Sequence, residues 1–252
     1  MEEFFNNTLP DILDSIGNGK PQINIIGFGV EKPSKRQINK FREKAANSSD
    51  LDPIKFIWNQ MTSSEFEEQW RLRRSRRRWI LPICSISITF TTAVPNSTDA
   101  VLCEDPGATI DFFQSLLDKN GKLLICLLTN ESGWMMLWRP FYRELRPQKT
   151  EGDVPFLNTA HIKKLLDDRG VSYQTYTILP EFDITACFTE GDEAGELLLD
   201  FLTETVNFSK TAPSDLKHRV LKRLRDNPCS VERDGKVFLS IEQETIVLEG
   251  LK

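Results

Sequence analysis

Histidine is nearly missing from this chain: of 252 residues only His161 and His218 carry an imidazole. Five cysteines, Cys84, Cys103, Cys126, Cys187 and Cys229, include no C-x-x-C pair, and neither histidine stands at ligand spacing from a cysteine pair. That scarcity argues against a His/Cys zinc site, and the odd count against a closed disulfide framework, so we expect no metal and free thiols. No apolar run approaches the roughly 18 residues that a spanning helix needs. Met1-Glu2-Glu3 does not open a basic-then-apolar leader, and the expectation is a cytoplasmic protein with no membrane contact. Basic charge is not in excess either. The net charge is -5 and the pI is near 5.3, which leaves no global field for nucleic acid. Five N-x-S/T triplets, Asn47-Ser48-Ser49 among them, stand without a secretory signal to make them glycan acceptors. A P-loop, a carboxylate dyad and a nucleophile paired with a base are all absent from the sequence pattern.

What is present is an ordinary globular composition, 39% hydrophobic and 27% charged, with a mean hydropathy of -0.35. The length suits one α/β domain over residues 1–252. Leu9, Ile12, Leu13 and Ile16 predict a leading helix that Gly17 stops. Gln22 to Gly29 reads as a first strand running into glycines. Pro33 opens a helix with Ile38, Phe41 and Ala45 on one face, and Ile54–Trp58 is a short strand. A helix between Asp105 and Asn120 is expected to turn at Gly121-Lys122 into an apolar strand, Leu123–Leu128, buried on both faces. Asn158 or Thr159 caps the next helix and Gly170 ends it. A strand from Ser172 to Leu179, a helix from Asp192 to Thr205 and a helix from Pro213 toward Arg225 follow. Val237–Ser240 and Thr245–Leu248 read as a closing hairpin. This alternation predicts a three-layer Rossmann-like sheet with helices on both faces, whose ligands bind beyond the carboxyl ends of the strands.

Three features bear on function. Gly27-Phe28-Gly29 lets backbone pass close to a ligand, or simply makes a turn. Trp134 and Trp138, four apart, share one face of a helix, either as a core stripe or as π faces for an amine or imidazole. Arg71 to Arg78 holds six arginines, which is a solvated face more often than a nucleic-acid patch. The β-rich stretch Trp79 to Thr92 follows it.

Several collinear stretches resemble the histamine N-methyltransferase family. They are Pro33-Ser34-Lys35-Arg36-Gln37-Ile38, Lys55-Phe56-Ile57-Trp58 with Thr62-Ser63-Ser64-Glu65, Phe112 to Leu117, Ser132-Gly133-Trp134 with Leu137-Trp138, and Asp200 to Thr205 leading to Thr211-Ala212-Pro213. The resemblance implies a class I methyltransferase fold, S-adenosyl-L-methionine as cofactor, and a small amine or imidazole substrate, such as histamine or carnosine; with no assembly motif in the sequence, a monomer is the default expectation. It implies that Gly29, Gln37 and Ser63 line the cofactor, with Glu31 nearest the place of the family's ribose-binding acid, which Lys32 occupies here. It also implies that Trp134, Trp138 and Phe201 line the amine pocket. Against the family pattern the chain reaches Pro33 from Gly29 in four steps, which omits about one βα unit. It also starts late at its amino terminus, is irregular over 66–105 and lacks the closing asparagine. The alternative that these departures leave open is a catalytically inactive member that binds no cofactor.

Overall fold

The computed structural model describes residues 22–26, 43, 55–59, 68, 72, 81–87, 106–145 and 157–249, with backbone alone for the first three strands. The predicted leading helix, the predicted helix from Pro33 and the arginine run lie outside the described residues, apart from single positions.

Six strands form the main sheet: β1 (Gln22–Ile26), β2 (Lys55–Asn59), β3 (Leu81–Ser87), β4 (Leu117–Leu128), β5 (Gln174–Ile178) and β9 (Gln243–Glu249), in the order β2-β1-β3-β4-β9-β5. β1, β2, β3 and β4 are parallel, and β9 enters antiparallel between β4 and β5. β2 lies against one side of β1 and β3 against the other, so the strand order reverses there. The sheet stays continuous through β1, although the sequence between β1 and β2 is short of the family pattern.

Leu123, Leu124 and Ile125 are all buried in succession, as are Ile246, Val247 and Leu248 opposite them. Neighbouring strand residues point to opposite faces, so unbroken burial means that both faces are covered. The covering helices are α1 (Pro106–Leu116), α2 (Gly133–Leu145), α3 (Thr159–Asp168), α4 (Glu193–Thr203), the single turn α5 (Phe208–Thr211) and α6 (Ser214–Arg225). α3 follows the expected rules. Asn158 accepts the His161 backbone N–H, His161 Nδ1 accepts the Asn158 N–H in return, and Gly170 follows with φ +67°. In α2, Pro140 has no N–H to offer the carbonyl of Met136, four residues back. Arg223 Nε donates to that carbonyl instead, at 3.3 Å, which ties α6 to α2.

Two expectations fail. Gly121-Lys122 is not a turn: β4 starts directly after α1, and the irregularity is absorbed as a register shift against β3 between Leu81 and Ile83. Val237–Ser240 and Thr245–Leu248 are strands but not a hairpin. The first belongs to β8 (Lys236–Ser240), which pairs with β6 (Glu181–Asp183) and β7 (Ser230–Arg233) in a separate three-stranded sheet, while β9 enters the main one. The true hairpin joins β7 to β8 through Asp234 and Gly235, with φ +51° and +73°. Two consecutive positive φ values are what a tight type I′ turn requires.

Candidate functional site

Parallel β1, β3 and β4 direct their carboxyl ends to one edge of the sheet. The strand order reverses between β1 and β3, the position at which α/β sheets hold their ligands, and Gly27 is the next residue in sequence after β1. One strand further on, β4 ends at Leu128 and the chain turns through Thr129 to Ser132 into α2. By register Ile26 is level with Ile125 two strands away, and β4 runs on to Leu128, so the ends of β1 and β4 stand about 14 Å apart. A ligand held at the first can thus reach a partner held at the second.

The segment after β4 is pinned on several sides. Thr129 N–H donates to the Glu242 carbonyl (3.2 Å) and Ser132 N–H to the Thr129 carbonyl (3.3 Å). Asn227 Nδ2 donates to the Gly133 carbonyl at 2.9 Å, and the Cys229 thiol to the Glu131 carbonyl at 3.2 Å. Gly133 has no unusual φ; it is there for close approach. A Cβ on it would stand 2.6 Å from Leu239 Cδ1 and 2.6 Å from the Ser240 carbonyl oxygen. Only a bare backbone lets α2 start this near β8.

Trp134 and Trp138 both donate their indole N–H to the Leu202 carbonyl, at 2.9 and 2.8 Å. Leu202 lies in the last turn of α4, where helix carbonyls lack an intrahelical partner, so two indoles satisfy one acceptor and clamp α4 to α2. Trp134 packs on Phe201 with ring centroids 5.0 Å apart. Phe201 is 45% exposed and Trp134 is half-buried. Trp138, in contrast, is 1% exposed: the structure seats it in the core beneath Trp134, as a support for the aromatic face and not part of its surface. Asp200 fixes the turn beyond α4 by accepting the backbone N–H groups of Asn207 and Phe208, both at 2.8 Å. Glu204 and Asn207 take left-handed backbone in that turn.

The structure thus brings Trp134, Trp138 and Phe201 together. Gly29, Glu31, Gln37 and Ser63 lie outside the described residues. Sequence reasoning missed Phe182, whose ring is 6.3 Å from Phe201, and it missed the shared Leu202 carbonyl. It also missed two buried hydroxyls, Thr129 Oγ1 and Ser132 Oγ, which have no hydrogen-bond partner. Orphaned polar atoms at the carboxyl edge of β4 suit a polar ligand crevice better than a sealed apolar core. Among the described residues no thiol is activated. Burial pushes Cys126 up to about 11 and Cys187 up to about 12. Cys229 is also raised, first by burial and then by the Glu242 and Glu131 carboxylates. No cluster of His, Cys, Asp or Glu able to hold a metal occurs among these residues, nor does any helix long and apolar enough to cross a membrane.

No family model matches the chain. It is 40% identical to the histamine N-methyltransferase of Danio rerio, 34% to that of Xenopus tropicalis and 33% to that of Cavia porcellus. Each match covers 99% of this chain and 89% of the relative. Among solved structures, a candidate methyltransferase of Bacillus halodurans has a TM-score of 0.47 at 11% identity, covering 98% of this chain and all of that one. The plantazolicin methyltransferase BpumL reaches 0.34 at 9%, covering 99% of this chain and 88% of that one. At those scores the likeness carries no functional weight. The sequence relatives, with the switch-point sheet, define an S-adenosylmethionine-dependent methyltransferase of Rossmann-like α/β type. More narrowly, the chain belongs to the histamine N-methyltransferase family.

Proposed function

We propose that the protein transfers a methyl group from S-adenosylmethionine to a ring nitrogen of histamine or a closely related small imidazole compound. The observation that carries this reading is the Trp134–Phe201 face beside the carboxyl end of β4, on the same edge of the sheet as the carboxyl end of β1. In this reading Gly29, Glu31, Gln37 and Ser63 hold the cofactor, and Trp134 and Phe201 hold the acceptor.

S-adenosylmethionine supplies, when bound, a methyl group made electrophilic by its sulfonium. The imidazole lone pair forms the new N–C bond as the C–S bond breaks, leaving a neutral thioether, and the ring proton passes to water. The protein's own share is positioning and exclusion of water. A flat aromatic face stacks on a planar ring and attracts a cationic side arm. Trp138 and Asp200 hold that face by fixing the last turn of α4.

One observation favours a second reading, a family member that binds no cofactor. The alignment with the Danio rerio enzyme runs over 275 positions, more than the 252 residues of this chain, so that enzyme carries aligned residues that have no counterpart here. Calorimetric titration with S-adenosylmethionine, followed by methyl transfer to histamine, separates the two. Micromolar binding and a ring-methylated product are expected; a protein that folds but gives no heat sinks the catalytic reading in favour of the second.

A further inference from the structure

We propose that Phe182 is an additional wall of the acceptor site and sets which acceptors the site takes. This inference rests on the acceptor face proposed above. Phe182 sits on β6, outside every stretch that carries the family resemblance, and its ring extends the aromatic row from Trp134 through Phe201 to a third member, with centroid steps of 5.0 and 6.3 Å. Phe182 remains 38% exposed and Phe201 45% exposed, although large aromatics gain most by full burial. Two neighbouring phenyl rings kept open to solvent beside a half-buried indole make a surface that a flat, partly cationic guest covers.

The placement is held firmly. Phe182 pairs in register with Leu239 of β8, the residue whose Cδ1 closes on Gly133, so the strand that carries Phe182 and the helix that carries Trp134 both adjoin Leu239. On either side of β6, Ile241 N–H donates to the Pro180 carbonyl and Ile184 N–H to the Val237 carbonyl, both at 2.8 Å. These bonds fix the backbone from which the Phe182 ring projects. At the end of the row it bounds how far a guest lying on Trp134 and Phe201 extends, which makes it a determinant of selectivity rather than a catalytic residue.

The test measures histamine binding calorimetrically, with steady-state KM and kcat beside it, for the wild type and for Phe182→Ala, Phe182→Leu and Phe182→Tyr. Removing one aromatic contact is expected to weaken histamine binding about three- to tenfold, with kcat and the affinity for S-adenosylmethionine held within about twofold. Phe182→Tyr restores binding. A Phe182→Ala protein that binds histamine like the wild type overturns the proposal, and so does one that loses histamine and S-adenosylmethionine together. Should Phe182→Ala fail to fold, the Leu and Tyr variants decide on the same readouts. A wild type that binds no histamine refutes the acceptor face itself, whereas a binding wild type with an indifferent Phe182→Leu refutes Phe182 alone.

Discussion

Replacing Gly133 by alanine puts one methyl group where the structure has no room for it. The added carbon would stand 2.6 Å from Leu239 Cδ1 and from the Ser240 carbonyl oxygen, and 3.0 Å from Cys229 Cβ. The leucine tip can rotate away, but the carbonyl belongs to β8 and cannot. Reaching ordinary contact at 3.4 Å therefore moves the start of α2 by about 0.8 Å. Two energies compete. Overpacking of this kind costs about 1–3 kcal/mol, while alanine returns less than the roughly 1 kcal/mol of an interior position, because Gly133 is the first residue of α2. The net expectation is a loss of about 1 kcal/mol, or about 2–4 °C in Tm for a domain of this size. Trp134 is the next residue, so the displacement passes straight into the acceptor face, where an error of about 1 Å costs up to a hundredfold in rate. Thermal unfolding by circular dichroism reads the first effect, and kcat/KM for histamine the second. A Gly133→Ala protein as stable as the wild type or more so, with unchanged kcat/KM, would show that α2 and β8 do not meet as closely as described.

Two further predictions concern the supports of the site. Asp200→Ala removes a carboxylate that accepts two backbone N–H groups at 2.8 Å; stability should fall by about 2 kcal/mol in urea unfolding, and Asp200→Asn should recover part of it. An alanine variant with the wild-type midpoint would contradict that account. Asp183 is held from its ordinary 3.8 down to about 2 by the Thr185 hydroxyl first, then by Lys236 and the Thr185 backbone N–H. Its folded-state pKa is depressed, so its contribution is present above pH 3.8 and is lost as the pH falls toward about 2. The urea midpoint of the wild type should drop more across that window than that of Asp183→Asn, and equal drops would remove Asp183 from the explanation.

The middle of the main sheet is readable because β4 holds an unbroken apolar run, whereas edge strand β5, QTYTI, is largely exposed. Leu123–Leu128 announces an interior strand, and the Asn158 cap with Gly170 frames α3 as local rules require. The misread hairpin has a physical cause. Only Ile241 and Glu242 separate β8 from β9, and such proximity looks like a turn, yet Ile241 is buried and its N–H is committed to Pro180. The burial patterns had already parted: alternation along Val237–Ser240, which suits a sheet with one open face, against continuous burial along Glu244–Leu248. Asp234-Gly235 carried the correct hairpin signal. At the site, the Trp134–Trp138 spacing put the indoles on one face, but spacing cannot say that one would be sealed under the other. Phe182 gave no periodic signal, since β6 has three residues. Its neighbourhood with Phe201 exists only once two sheets and α4 have come together.

The antiparallel insertion of β9 has a consequence for how the molecule is made. β5 joins β4 only through β9, so the sheet cannot close until the chain beyond Ser240 is in place. Before that the flank of β4 that β9 covers is an unpaired strand edge, the kind of surface on which wrong pairings start.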